Sequence, residues 1–223
     1  MFQKIACTII LILSVAFASF TTEASDAIDA FIEEVRTPSY DCPSQSLFPQ
    51  LEKTLLGESL STQQRFALTV AKGQFLICRG KYEEAEKMLL KAIMQSNIDE
   101  SSYAFASAIY QIGFSYDARE NPARCKYYKQ AQDLSSPERH SDIFTSASLG
   151  LISYCSDSSS PEVRLGKMFG VLKRYSNDGS PGELAHIHNS IGLLYGSLEQ
   201  HALAAEQYLK AHEMGLQVYE GSN

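Results

Sequence analysis

Apolar residues in this chain recur every three to four positions wherever turn residues do not intervene, the period of one helix face. The clearest stretch is 73–93, GQFLICRGKYEEAEKMLLKAI. Arg79-Gly80-Lys81 interrupts two helical patterns there, and Tyr82, Ala85, Leu89, Ala92 and Ile93 form one apolar stripe on the second. A lone helical hairpin cannot cover such a stripe, so the unit is expected to repeat.

Taken in order, the pattern opens with residues 1–24, where Lys4 precedes an apolar run over 5–17 and the A-x-A sequence Ala16-Phe17-Ala18. These are the parts of a secretory signal peptide, cut after residue 18 or, following Thr22-Glu23-Ala24, after 24. The apolar run falls short of the ~20 residues a spanning helix needs, so the mature protein is expected not to span a membrane. Residues 25–60 predict a helical pair, 27–35 and 47–56, with a loop over 39–44. Four further pairs follow: 63–78 with 82–95, 99–119 with a helix ending at Leu134, 141–154 with 161–175, and 183–197 with 200–219. As units of an array these occupy 61–97, 99–137, 141–177 and 182–219. No segment alternates as a strand would, so the chain is expected to be all-α.

The units share a feature in mid-helix: Lys72-Gly73, Ile112-Gly113, Leu149-Gly150 and Ile191-Gly192 recur at intervals of about 40 residues. A glycine inside a helix costs about 1 kcal/mol against alanine. Four at equivalent places point to close approach of a neighbouring helix. Three positions later stand Leu76, Tyr116, Ser153 and Tyr195, and the second helices carry Ala85, Leu89, Ala92 in the first unit and Ala204, Tyr208, Ala211 in the last.

On these residues the chain resembles the tetratricopeptide repeat family, whose hairpins of about 34 residues carry a Leu-Gly-x-x-Tyr element followed by Ala, Phe/Tyr and Ala. The fit is close over 64–97 and 185–218 and looser over 102–137, where Tyr128 and Ala131 sit one residue early. It is weakest over 142–177, where Gly166 replaces a large residue, and the family's Trp is absent throughout. The resemblance implies a right-handed solenoid of about four antiparallel hairpins following the N-terminal helical pair, with a concave groove lined by the first helices. Its groove residues would be Gln74, Ile77, Tyr110, Phe114, Asp117, Phe144, Leu151, Tyr154, His186 and Asn189. Val70 and Gln74 stand where a Lys and an Asn would form the basic clamp of some family members. The neutral, aromatic mixture suits an apolar or aromatic peptide segment instead. The alternative for Phe114, Phe144 and Leu151 is simple packing between helices.

Composition narrows the classes. Apolar residues make up 44% and charged residues 20%, and the net charge is −7. A core can form, and with no clustered basic face neither nucleic acid nor an anionic membrane surface is an expected partner. Of five cysteines, Cys7 falls in the leader. The remaining four permit two disulfides in three connectivities, and none is spaced as a CxxC motif. Placed on the repeat, Cys42 with Cys78 and Cys125 with Cys155 fall at matching helix ends and are the expected pairs; four free thiols are the alternative. His186 and His188 are two apart on a helix and point about 200° apart, so they cannot chelate a metal from one face. No nucleophile, phosphate-loop, metalloprotease or paired-carboxylate motif appears. Neither an enzyme, a cofactor nor a metal is expected.

The expected function is therefore an exported adaptor, periplasmic or secreted, that holds a protein or peptide segment in its groove. The alternative is an extracytoplasmic sensory or ligand-binding module acting through a membrane signalling partner. Met214, Leu216, Val218 and Tyr219 would leave an apolar face at the chain's end, suited to dimerisation or docking.

Overall fold

Side-chain caps set where many of the helices begin. Ser61 and Gln64 form a capping box at Thr62–Cys78, and Ser180 and Glu183 form another at Pro181–Ser197. Ser102 and Ser160 accept the third backbone N–H of Tyr103–Asp117 and Pro161–Tyr175, and Pro161 and Pro181 occupy first-turn positions where a missing N–H is harmless. The computed structural model describes residues 25–39, 41–57, 59–95, 97–155, 159–177 and 179–220, the last three by backbone alone. The signal peptide expected over 1–24 lies outside them, as do the side chains of Val218 and Tyr219.

The described residues are all-helical. Helix α1 spans 25–35. A 3-10 turn, Gln45–Leu47, leads into α2, Phe48–Leu55. Then come α3 (Thr62–Cys78), α4 (Tyr82–Gln95), α5 (Tyr103–Asp117), α6 (Arg124–Asp133), α7 (Ser141–Tyr154), α8 (Pro161–Tyr175), α9 (Pro181–Ser197) and α10 (His201–Glu220). Helix α5 starts later than the 99–119 pattern suggests. The Asp99 carboxylate accepts hydrogen bonds from the Ser101 amide and hydroxyl, both at 2.8 Å, a local alternative to the helix ladder. Gly80, at φ 72°, makes the α3–α4 turn in the left-handed region that favours glycine.

Each helix packs on its sequence neighbours, and the odd-numbered helices also meet in turn: α3 with α5, α5 with α7, and α7 with α9. The buried side chains form a succession of clusters along the chain. Phe31, Val35, Leu51, Leu68 and Phe75 tie α1 and α2 to α3. Phe66, Leu89, Ile109, Ile112, Tyr128 and Ile143 join α3 through α7. Leu149, Met168, Ile187 and Ile191 join α7 through α9.

The mid-helix glycines sit where second helices press closest. A Cβ on Gly150 would lie 2.6 Å from Tyr128 Cε2, and one on Gly113 would lie 3.0 Å from Cδ1 of the same ring. Tyr128 of α6 is thus wedged between α5 and α7. Gly192 likewise faces the Tyr208 ring.

Two disulfides are present, Cys42–Cys78 and Cys125–Cys155. Cys42 does not begin a helix, as the repeat pattern suggested, but lies in a non-helical stretch ahead of the 3-10 turn. The sequence predicts a loop over 39–44 but not the contacts made by this strap, residues 36–39 and 41–43. The strap runs across the odd-numbered helices. The Ser39 amide donates to Asp142 Oδ2 at 2.9 Å and the Ser39 hydroxyl to Ser146 Oγ at 2.9 Å, while Gln74 Nε2 donates to the Asp41 carbonyl at 2.7 Å. Tyr103 donates to the same Asp142 carboxylate at 2.8 Å.

Candidate functional site on the odd-numbered helices

Three odd-numbered helices present one face each to a common space. On α5, Tyr110, Phe114 and Asp117 are four and seven residues apart and so share a side. On α7, Ser146, Gly150 and Ser153 repeat that spacing with small residues, which leaves room between the helices. On α9, His186, Ser190, Leu193 and Ser197 do the same. The result is a cavity of about 480 Å³, with Tyr128 at its wall, Tyr154, Asn189 and Leu193 at its lining, and Arg164 reaching in from α8.

The cavity's charges are organised around Asp117. Its Oδ2 accepts from the Tyr128 hydroxyl at 2.9 Å, and its Oδ1 accepts from Arg124 Nη1 at 3.0 Å. Burial pushes the Asp117 pKa up, partly offset by the Tyr128 hydroxyl and the Arg124 guanidinium. The same guanidinium lies 4.9 Å from the Tyr154 ring centroid. Tyr110 stacks obliquely between Phe114 and Tyr128, with centroids 6.3 and 5.8 Å away. Burial raises the pKa of Tyr110, Tyr128 and Tyr154, so these phenols stay protonated.

Across the cavity, burial lowers His186 to about 4, leaving a neutral imidazole at neutral pH. Arg164 donates from Nη1 to the Ser153 carbonyl at 2.9 Å, and its Nε is buried without a partner, as is Nε of Arg124. The surface is aromatic and neutral-polar, with one carboxylate–guanidinium pair and one further guanidinium. Leu193 and Tyr154 are exposed at 55% and 43%, so apolar surface is open to an incoming chain.

Six of the ten groove residues read from the sequence line this cavity: Tyr110, Phe114, Asp117, Tyr154, His186 and Asn189. The other four lie elsewhere. Gln74 is buried beneath the strap and lines a second cavity. Ile77 packs with Leu76, Ala85 and Phe114. Phe144 and Leu151, seven residues apart, share a different side of α7 from Ser146 and Gly150. Arg174 lies over the Phe144 ring, 5.7 Å from its centroid, and Leu151 packs on the cluster that joins α3 through α7.

The sequence reading did not single out Tyr128, Arg164, Ser146, Ser190 or Leu193 as lining residues. The small residues at four- and three-residue steps on α7 and α9 were the available signal. His186 and His188 separate as the helix geometry requires, with His188 Nδ1 hydrogen-bonded to Gln207 Oε1 of α10 at 2.8 Å. Among the described residues, no group of three or more His, Cys, Asp or Glu is placed to hold a metal ion, and no helix is long and apolar enough to cross a membrane.

No family model matches the sequence, and no curated protein matches it. Among solved structures, the chain is similar to that in the crystal structure of BtubC (BKLC) from P. vanneervenii, with a TM-score of 0.53. The match covers 79% of this chain and 73% of that one at 14% sequence identity. A likeness at that identity is one of fold alone.

Proposed function

We propose that the chain is an adaptor of tetratricopeptide-like construction, a right-handed solenoid that holds an extended segment of a partner protein on the face formed by α5, α7 and α9. One observation supports the reading: this side of the molecule already takes a non-helical segment, its own strap. Asp142, Ser146 and Gln74 hold Ser39 and Asp41 through the backbone and a small hydroxyl. The cavity beside the strap continues the same run of odd-numbered helices and offers aromatic walls with scattered hydrogen-bonding groups. That combination suits backbone bonding with apolar side chains inserted.

The partner segment is mainly apolar or aromatic, because the lining is largely aromatic, Asp117 and Arg124 neutralise each other and His186 is neutral, while the Arg164 guanidinium, bonded to the Ser153 carbonyl, suits an acceptor on the segment. The two disulfides fit an oxidising compartment, which agrees with the signal-peptide pattern in the first 24 residues. The protein acts in the periplasm or outside the cell. The exposed α10 positions Leu209 and Leu216 are available for self-association.

Photo-crosslinking tests the reading. A benzophenone side chain is placed at Leu193, at Tyr154 or, as a control on the exposed side of α6, at Lys129. One discrete crosslinked protein from both cavity positions and none from Lys129 is the expected result. The same products from all three positions would overturn it.

A further inference from the structure

Arg164 brings an unmatched charge to the cavity of α5, α7 and α9. Among the described residues that line the cavity it is the one permanent cation, and it is half-buried. No carboxylate of the described residues lies within ion-pair distance of it. The other guanidinium nearby, Arg124, is already matched: its Nη1 meets Asp117 Oδ1 at 3.0 Å, and the Tyr128 hydroxyl binds the second carboxylate oxygen. We infer that the segment held on this face carries an acidic side chain, Asp or Glu, whose carboxylate docks on Arg164 beside an apolar or aromatic residue of the same segment. The inference rests on the peptide-holding role proposed above.

The guanidinium is placed for such a partner. Nη1 is anchored on the Ser153 carbonyl at 2.9 Å, near the end of α7, and Nε is enclosed. Nη2 donates to no described residue and is not enclosed, so its protons are left for an incoming acceptor. A neutral carbonyl would occupy Nη2 and leave the positive charge uncompensated. A carboxylate supplies both the acceptor and the counter-charge, and hydrogen bonds involving ionised groups are about twice as strong as neutral ones. With no second unmatched cation in the lining, one negative charge fits the site, and a dianion such as a phosphate monoester would carry one in excess.

The rest of the lining sets what flanks the acid. Leu193 and Tyr154, the exposed apolar surface, line the same cavity as Arg164. In an extended segment alternate side chains leave on the same side, so the residue two positions from the acid is apolar or aromatic. Asp117 keeps the acid away from the α5 side, where like charge would oppose it. The carboxylate belongs to a side chain and not to a chain end, because the strap on this side of the molecule continues in both directions, into α1 and into the 3-10 turn.

The test captures defined peptide pools on the immobilised full chain with both disulfides intact. Each pool holds short N-acetylated peptides, with apolar and aromatic residues randomised about a central Glu or Gln and an amide at the end. A further Gln pool ends in a free carboxylate. Retained peptides are sequenced by mass spectrometry and titrated singly by fluorescence anisotropy. The expected result is that Glu peptides bind about ten- to hundredfold more tightly than their Gln counterparts, the difference a hydrogen bond to a charged group supplies. Arg164→Gln is expected to remove that difference by weakening the Glu peptides alone, and an unchanged affinity for the Gln peptides verifies that the cavity keeps its shape. Lys129→Gln, an equal change of charge on the exposed side of α6, leaves the difference intact. Equal retention of the Glu and Gln amide pools, or a preference that survives Arg164→Gln, overturns the inference while the peptide-holding role stands. Preferential retention of the free-carboxylate pool overturns it in favour of a chain terminus. Retention of no pool overturns both.

Discussion

Replacing Gly150 with alanine sets two effects of known size against each other. By helix propensity alone the change stabilises, by about 1 kcal/mol. The new Cβ, however, would lie 2.6 Å from Tyr128 Cε2 and 2.8 Å from Cδ2, closer than real side chains approach. The ring cannot retreat towards α5, because Gly113 already approaches its other edge and its hydroxyl is held by Asp117 at 2.9 Å. Overpacking of this kind costs about 1–3 kcal/mol, and a displaced phenol would add about 1 kcal/mol for the strained hydrogen bond. The net expectation is a destabilisation of about 1–3 kcal/mol, or roughly 2–12 °C in Tm for a chain of this size. Gly166→Ala and Gly170→Ala are the controls: both lie on the exposed side of α8 with nothing within 4 Å of the added atom. They are expected to stabilise by up to about 1 kcal/mol. Urea denaturation followed by circular dichroism reads all three. If Gly150→Ala stabilises as much as Gly166→Ala, the wedged tyrosine does not explain the glycine.

Three further outcomes follow from the contacts described. Removing the Cys125–Cys155 bridge as a double serine variant releases a 30-residue separation, and should lower stability by about 3–4 kcal/mol in the chain-entropy model, read by denaturation. His186 titrates near 4 when folded and near 6.5 when unfolded. The unfolded chain therefore takes up the proton first as pH falls, and its contribution, complete above about 6.5, is lost towards 4 at about 1.4 kcal/mol per pH unit. Asp117, with its raised pKa, works in the opposite sense, so the comparison must be wild type against His186→Gln, whose stability should fall less between pH 7 and pH 5. Asp142→Ala removes the acceptor for both the Ser39 amide and the Tyr103 hydroxyl. It should cost about 2–3 kcal/mol, the size expected for hydrogen bonds to a charged group, and speed amide exchange at Ser39 and Asp41.

Much of the helical course is legible because it is written locally. Tyr82–Gln95 and Pro161–Tyr175 follow from apolar period and from Ser160-Pro161, since caps and stripes act within one or two turns. The glycines were legible as close contacts, because a mid-helix glycine needs a steric reason, and each lies against a second-helix side chain. The strap's contacts were not. Ser39 reaches Asp142 across 103 residues through an amide and a hydroxyl, and such bonds leave no periodic trace. The cavity was legible only in part. Tyr110 and Phe114 fall on the right side of α5, but the rotation of α7 turns Phe144 and Leu151 away and exposes Ser146 and Gly150 instead. A helix's orientation is set by what packs against it, here Tyr128 on Gly150, and Tyr128 belongs to another helix.

The central claim is that the face of α5, α7 and α9 holds an extended segment from another protein. The most direct measurement is selection of a random peptide library on the immobilised chain, followed by titration of the enriched peptides against wild type and Leu193→Glu. Leu193 is 55% exposed, so a charge there leaves the fold alone while entering the cavity's rim. The expected peptides are rich in apolar and aromatic residues and bind the variant at least tenfold more weakly. Enriched peptides that bind both proteins equally would contradict it.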